Sequence, residues 1–403
     1  MKKFQKFGLA VLTLILGACV NDAPIENNNA DDGNTPPVQT TKISMDQAQA
    51  ELMQILKDVD QATTRAGGTR QISNSYTWAL DTENATRSSD EETPCVYVFN
   101  FDDEQGFAIM SGDTRVPSLL ALAESGSLIE GEEVENPGLQ IFLDNMIQTM
   151  GFFPPEIPLQ PVTPCPEDDT YVGVAQSWEN IIYYPNGFCP VKWGQGSPYN
   201  DYCPIKEGKP TPVGCVATAV AQLMAVHKYP STYNNHIYNW TELIKQKYGK
   251  NLSPTYKNQL ANLMVDLGLP SNLKMNYSPT GSTSSIGYVE NTLKNFKFSS
   301  TGNLKNYTTS GAVEELKNNI PILIEGVVNE DGKEAGHVWI GHGLMERKRE
   351  IKWYDGQGLY RYSTYESIWY ILCNWGWGAT DDGYYLSKVF NTGPCTVLNT
   401  LLR

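Results

Sequence analysis

Thr211-Pro212-Val213-Gly214-Cys215-Val216-Ala217-Thr218-Ala219-Val220-Ala221-Gln222-Leu223-Met224 opens on a tight Pro/Gly turn, delivers a cysteine and continues as a run of small and apolar residues. The run predicts a buried helix closed by Tyr229-Pro230, with Cys215 in its first turn. Orphan N–H groups and the positive end of the helix macrodipole favour a thiolate there, the form that attacks carbonyl carbon. Gly214 carries no side chain to block an approaching substrate backbone. Taken alone, Cys215 is equally well a small buried hydrophobe at a helix start, so partners elsewhere in the chain have to decide.

A nucleophilic thiol needs a base, and Ala335-Gly336-His337-Val338-Trp339-Ile340 offers a histidine that follows glycine and opens an alternating strand. The chain has four histidines. His227 falls in the last turn of the Cys215 helix, where histidine caps carbonyls, and His236 stands in an Asn-rich loop. His342 is five positions from His337, an odd step that puts it on the other face of the same strand. His337 is left as the base. Downstream, Cys373-Asn374-Trp375-Gly376-Trp377-Gly378 supplies an amide able to hold an imidazole and an indole able to shield that bond from water, although such a tract also suits hairpin packing. Upstream, Val191-Lys192-Trp193-Gly194-Gln195-Gly196-Ser197-Pro198-Tyr199-Asn200 places Gln195 between two glycines. Its amide, with the Cys215 N–H, is suited to an oxyanion.

Gln, Cys, His, Asn is the chain order of papain-like cysteine peptidases, and the four stretches resemble the streptopain family. Its Trp-x-Gln-x-x-Pro-Tyr-Asn, Gly-Cys-Val-Ala-Thr-Ala, Gly-His and Asn-Trp-Gly-Trp-Gly segments all occur in order between Val191 and Leu386. The resemblance implies Cys215 as nucleophile, His337 as general base and acid, Gln195 as oxyanion donor, and Asn374 with Trp375 as the pair beside the imidazole. It also implies that Ser282 and Gly336 hold the substrate main chain. Two departures stand out. The family's Val-Ile-Asp-Gly-like step after the histidine strand is Gly341-His342-Gly343 here, and the chain ends soon after Phe390 without the long glycine-rich loop of streptopain.

At the other end, Lys2, Lys3 and Lys6, an apolar centre from Phe7 to Leu16, and Leu16-Gly17-Ala18-Cys19 read as a lipoprotein signal peptide (1–19) whose lipobox leaves Cys19 lipidated. An ordinary cleaved secretory signal is the other reading. No other run approaches the roughly 20 apolar residues of a membrane span, so the chain is expected across the inner membrane, at the outer membrane or cell surface, tied only through Cys19. Residues 20–42 are Asn-, Asp- and Pro-rich, a disordered tether. Residues 43–153 then read as a small α+β block: a helix opened by Ser44 with Gln47 at capping-box spacing, strands Cys95–Phe101 and Gly106–Asp113, and a helix from Pro137 to Met150. Gly106-Phe107-Ala108-Ile109 with Ser111-Gly112-Asp113 resembles the streptopain propeptide, which implies an inhibitory prosegment. An independent binding domain is the alternative. Residues 154–170, rich in proline and acid, suit an activation linker.

Residues 171–403 are long enough for one well-buried domain. Predicted helices come first (the Cys215 helix, Trp240–Lys247, Thr255–Leu267). Predicted strands follow (Pro321–Val328, His337–Met345, Glu350–Tyr354, Ile368–Asn374, Gly383–Leu386). That order predicts an α+β fold, a papain-like helical half facing an antiparallel sheet half, with Cys215 and His337 on opposite walls of the cleft. A net charge of −15 speaks against nucleic acid or anionic lipid as ligand. Of eight cysteines, Cys189 and Cys203 could close a short loop near Gln195 in an exported chain, though pairing is not deducible from sequence. No Cys/His set has zinc spacing and no glycine loop cradles phosphate, so neither a metal nor a cofactor is expected. The expected function is a secreted cysteine endopeptidase, made as an inhibited zymogen and acting on protein or peptide substrates. A retired peptidase scaffold used for binding, and a cell-wall amidase or transpeptidase with the same dyad, are the alternatives.

Overall fold

Ser44 caps the first helix as its spacing to Gln47 predicts. The computed structural model describes residues 42–63, 68–79, 95–151, 171–299, 301–330, 333–391 and 395–399. In it the Ser44 hydroxyl accepts from the Gln47 N–H at 3.2 Å, and the Gln47 side chain accepts from the Ser44 N–H at 2.9 Å. This reciprocal pair satisfies two orphan donors at the start of α1 (Met45–Ala62). Leu52, Ile55, Leu56 and Val59 are buried along one face of α1, each worth roughly 1.5–3 kcal/mol by leaving water. The signal segment with Cys19, most of the tether, and the linker with Cys165 lie outside the described residues.

An antiparallel meander follows: β1 (Ile72–Ala79), β2 (Cys95–Phe101), β3 (Phe107–Ser111) and β4 (Leu119–Ala123), then α2 (Pro137–Gly151). The two outer strands were not legible in the sequence. β1 is a polar, half-exposed edge strand, and β4 is an unbroken apolar run without alternation.

After the linker come β5 (Val172–Ala175) and β6 (Glu179–Tyr183), the short hairpin β7 (Ile205–Lys206) and β8 (Lys209–Pro210), and α3 (Cys215–His227). The helical half continues through β9 (Thr232–Tyr233), β10 (His236–Ile237), α4 (Trp240–Leu243), α5 (Pro254–Gly268) and α6 (Val289–Asn295). The sheet half comprises β11 (Leu304–Asn306), α7 (Thr309–Lys317), β12 (Ile322–Glu330), β13 (Lys333–Tyr354), β14 (Tyr360–Asn374), β15 (Gly383–Leu386) and β16 (Thr396–Asn399). The fold is α+β, as predicted. The two strands predicted at His337–Met345 and Glu350–Tyr354 are one continuous strand. The charges between them do not break it, because each has a partner: Glu346 accepts from Tyr183 and Ser367, and buried Arg347 bonds Glu51, Ser118 and Asn180.

A single sheet runs β1-β2-β3-β4-β15-β14-β13-β12-β16-β11, with β5 and β6 also on β13. Its seam is β4 against β15, Ala121↔Tyr385, Leu122↔Tyr384 and Ala123↔Gly383. The block expected as a domain of its own (43–153) therefore shares a sheet with the rest, and residues 42–403 form one compact unit. Two hydrophobic cores lie on either side of β12 and β13. Ile322, Ile324 and Trp339 pack with α1, α2 and β2–β4, whereas Leu323, Val338 and Ile340 pack with α3 and α5. Among the described residues no helix is long and apolar enough to cross a membrane.

Candidate active site

Cys215 is the first residue of α3, behind a Gly214 at φ +95°, a left-handed conformation that favours glycine. A Cβ on Gly214 would stand 2.8 Å from the Ser282 carbonyl oxygen, so the turn and the position of Cys215 depend on the missing side chain. Ten consecutive residues after Cys215 are buried, which anchors the helix start from behind. Cys215 itself is half-buried. Burial pushes its thiol pKa up and nearby Glu325 adds to this, while the N–H groups of Val338 and Val216 favour the thiolate.

Gln195 is delivered to the same turn: its carbonyl accepts from the Val213 N–H at 3.0 Å, two residues before the cysteine. The segment is held from below as well, since the Trp193 N–H donates to Gln222 Oε1 at 3.1 Å. Gln222 lies two turns after Cys215 on α3. A lone glutamine in an otherwise apolar helix was the available signal for this contact, and it was missed. Ser282 is buried, with its hydroxyl donating to the Pro212 carbonyl at 2.6 Å. Gly336 is exposed next to His337.

His337 sits near the start of the β13 segment that faces α3. It is paired with Gly326 across β12, while its neighbour Val338 points into the helical core. Its Nε2 donates to the Trp375 carbonyl at 2.8 Å, which leaves Nδ1 with a lone pair. The ring is parallel to Trp339 at 6.2 Å and edge-on to Trp377 at 6.1 Å. Burial pushes its pKa down to about 4, against the carbonyl's pull in the other direction. Among the described residues no hydrogen bond joins the ring to the Cys215 sulfur, although the Val338 N–H, one residue on, reaches that sulfur.

Among the described residues Asn374 makes no hydrogen bond to the imidazole. Its Nδ2 donates to the Val191 carbonyl at 3.0 Å and its Oδ1 accepts from the Gly376 N–H at 3.1 Å. The direct Asn374–histidine bond is thus replaced by one from the Trp375 main chain. Trp375 is fully buried, its indole N–H on the Asp381 carbonyl at 2.9 Å and its ring against Trp339 and Tyr385.

The N-terminal block covers this corner. A Cβ on Gly138, the second residue of α2, would stand 2.3 Å from Trp375 Cε3 and 2.9 Å from His337 Cδ2. Asn136 Nδ2 donates to Asp381 Oδ2 at 3.2 Å, and Glu124 reaches Lys192 at 3.4 Å.

The remaining histidines have structural surroundings. His236 pairs with buried Asp266 at 2.6 Å, and His227 is half-buried at the end of α3. His342 is fully enclosed, its Nδ1 accepting from the Cys189 N–H at 3.3 Å. Cys189 and Cys203 are both free thiols, so the loop they could have closed is not formed. Cys373, next to Asn374, is buried without a helix N-terminus, and burial pushes its thiol pKa far up. Among the described residues no group of three or more His, Cys, Asp and Glu side chains could hold a metal ion.

Residues 193–385 match the peptidase C10 family, and residues 40–150 match the Spi protease inhibitor family. Streptopain of Streptococcus pyogenes serotype M1 is 24% identical over 340 residues, 73% of this chain and 74% of that protein. A thiol protease/hemagglutinin of Porphyromonas gingivalis is 22% identical, over 79% of this chain and 37% of that protein. Among solved structures, a prointerpain A fragment from Prevotella intermedia superposes with a TM-score of 0.51 at 21% identity, covering 80% of this chain and 98% of that one. The last match concerns the fold.

Proposed function

We infer the mechanism from the premise that this chain belongs to the peptidase C10 family, the streptopain-like cysteine peptidases. It is a cysteine-type endopeptidase with an inhibitor-like prosegment, a zymogen. On our reading Cys215 is the nucleophile and His337 the base. The thiol proton passes to His337 Nδ1, the sulfur adds to the peptide carbonyl carbon, and the oxyanion is held by the Cys215 N–H and the Gln195 amide. The imidazolium then returns the proton to the leaving nitrogen, giving an amine and a thioester. Water, deprotonated by the same ring, hydrolyses the thioester. We assign Ser282 and Gly336 to the substrate main chain, a reading supported by the turn Ser282 shares with Pro212 before Cys215 and by the exposure of Gly336 beside His337.

The observation that carries this reading is the 2.8 Å bond from His337 Nε2 to the Trp375 carbonyl. A carbonyl only accepts, so Nε2 holds the hydrogen and Nδ1 is free to take another. With α2 against the ring and burial raising the thiol pKa, the closed form favours a neutral thiol and a neutral imidazole, a resting pair. We assign the 43–153 block as the cover and the 154–170 linker as the place of cleavage. The Leu16-Gly17-Ala18-Cys19 motif supports export and lipid attachment at Cys19.

In the purified full-length chain, Cys215→Ala is expected to abolish both proteolysis of denatured protein and self-maturation. Residual activity in that variant would sink the assignment. Fatty-acid labelling that survives in Cys19→Ala would sink the anchor.

A further inference from the structure

Asp382 lies outside the set of residues described as catalytic, yet it touches that set through the main chain. Its side chain is 1% exposed. Oδ1 accepts from the Trp375 N–H at 3.0 Å, and the carbonyl of that same residue is the acceptor for His337. The following peptide plane, Trp375 C=O with Gly376 N–H, is held on its other side by Asn374 Oδ1 at 3.1 Å. Two side chains therefore clamp successive peptides of Trp375, and the histidine reads the result. The second oxygen of Asp382 is 3.4 Å from the Nζ of half-buried Lys192, three residues before Gln195.

We propose that Asp382 is the positioning residue of the catalytic histidine, acting through the Trp375 backbone, with Lys192 offsetting its buried charge and tying it to the segment that carries Gln195. The proposal rests on the reading of His337 as base. A buried carboxylate is costly unless paired and hydrogen-bonded, and this one has both an N–H donor and an ammonium partner. Burial still lifts its pKa to about 6, with Glu124 of the prosegment adding to the rise and Lys192 opposing it, so the group is ionised at neutral pH. In the closed form Lys192 is shared between Asp382 and Glu124, both at 3.4 Å.

Asparagine at 382 keeps the acceptor for the Trp375 N–H, and alanine removes it. In the self-matured full-length enzyme, Asp382→Ala is expected to lower kcat by about 10–100-fold with KM within about threefold. Asp382→Asn is expected to restore kcat to within about threefold of the parent. In the Cys215→Ala chain, imidazole nitrogen NMR reads the same bond without turnover. Four histidines make the assignment tractable, and the His337 Nε2–H signal should move in Asp382→Ala and stay in Asp382→Asn. Parental kcat with an unmoved His337 signal in Asp382→Ala would overturn the proposal. So would an Asp382→Asn enzyme as impaired as Asp382→Ala with that signal unchanged in both. His337→Ala in the same assay separates the two levels: activity there removes the histidine reading itself, whereas inactivity there beside a fully active Asp382→Ala removes only the role of Asp382.

Discussion

Gln195 and Asn374 flank the proposed chemistry in different ways, and substitution should separate them. The Gln195 main chain is fixed by Val213 and, through Trp193, by Gln222, while its side-chain amide makes no hydrogen bond among the described residues. The proposed role gives that amide a partner only when an oxyanion forms during reaction. Gln195→Ala should therefore lower kcat by about 10²–10³-fold with little change in KM and none in folding. Steady-state kinetics on the matured enzyme check this, and an equal rise in KM would contradict it. Asn374→Ala strands the buried Gly376 N–H and leaves the Val191 carbonyl only the weak Cys189 thiol donor, and should cost about 1–3 kcal/mol in chemical denaturation. The placements of Cys215 and Gln195 were legible from sequence because their settings are local: a cysteine after a Pro/Gly turn at a helix start, a glutamine between glycines. The partner of Asn374 was not, because a side-chain amide and a main-chain carbonyl one residue apart compete for the same imidazole, and only the folded loop decides between them.

The start of α2 is the element that lies on the site. Pro137 and Gly138 bring its backbone against Trp375 and His337, closer than any side chain allows. In Gly138→Ala the added Cβ, 2.3 Å from Trp375 Cε3, must lift the helix end or push the indole aside. The expected result is faster self-maturation than in the parent chain, followed on gels over time; slower or unchanged maturation would mean that this contact does not restrain the enzyme. The helix itself was predicted from Pro137 to Met150, and α1, α3 and α5 were also predicted close to where they stand. β13 was not recognised as one strand because Glu346-Arg347-Lys348-Arg349 looks like a break, and only partners distant in sequence, Glu51 and Ser118 on the N-terminal block among them, make burial of Arg347 tolerable.

Over the whole molecule, buried histidines set an acid sensitivity whose sign can be worked out. Burial, helped by Lys192 and Lys247, pushes His342 down to about 3 from an ordinary 6.5. The unfolded ring takes up its proton first as pH falls, so the stability His342 contributes is complete above about 6.5 and is lost progressively below it. Asp381 and Asp382, raised to about 6 by burial, act in the opposite sense between about 6 and 3.8. A difference between variants isolates the histidine. In the Cys215→Ala chain, the loss of stability between pH 7 and pH 5 should be smaller in His342→Asn by on the order of 1–2 kcal/mol. Equal losses in urea titrations at the two pH values would refute the assignment. The sequence by itself determined the α+β class, a cysteine at the start of its helix, the strand that carries His337 and the inhibitor-like character of the N-terminal block, since period, turn residues and ordered motifs are written along the chain. Only the tertiary structure decided that β4 and β15 join block and peptidase into one sheet, that a main-chain carbonyl holds the imidazole, and that Asp382 holds the backbone of that residue. Each of these depends on groups that meet across a sheet seam, between positions 38 residues apart or around a loop, and such hydrogen-bond partners leave no periodic trace in the order of amino acids.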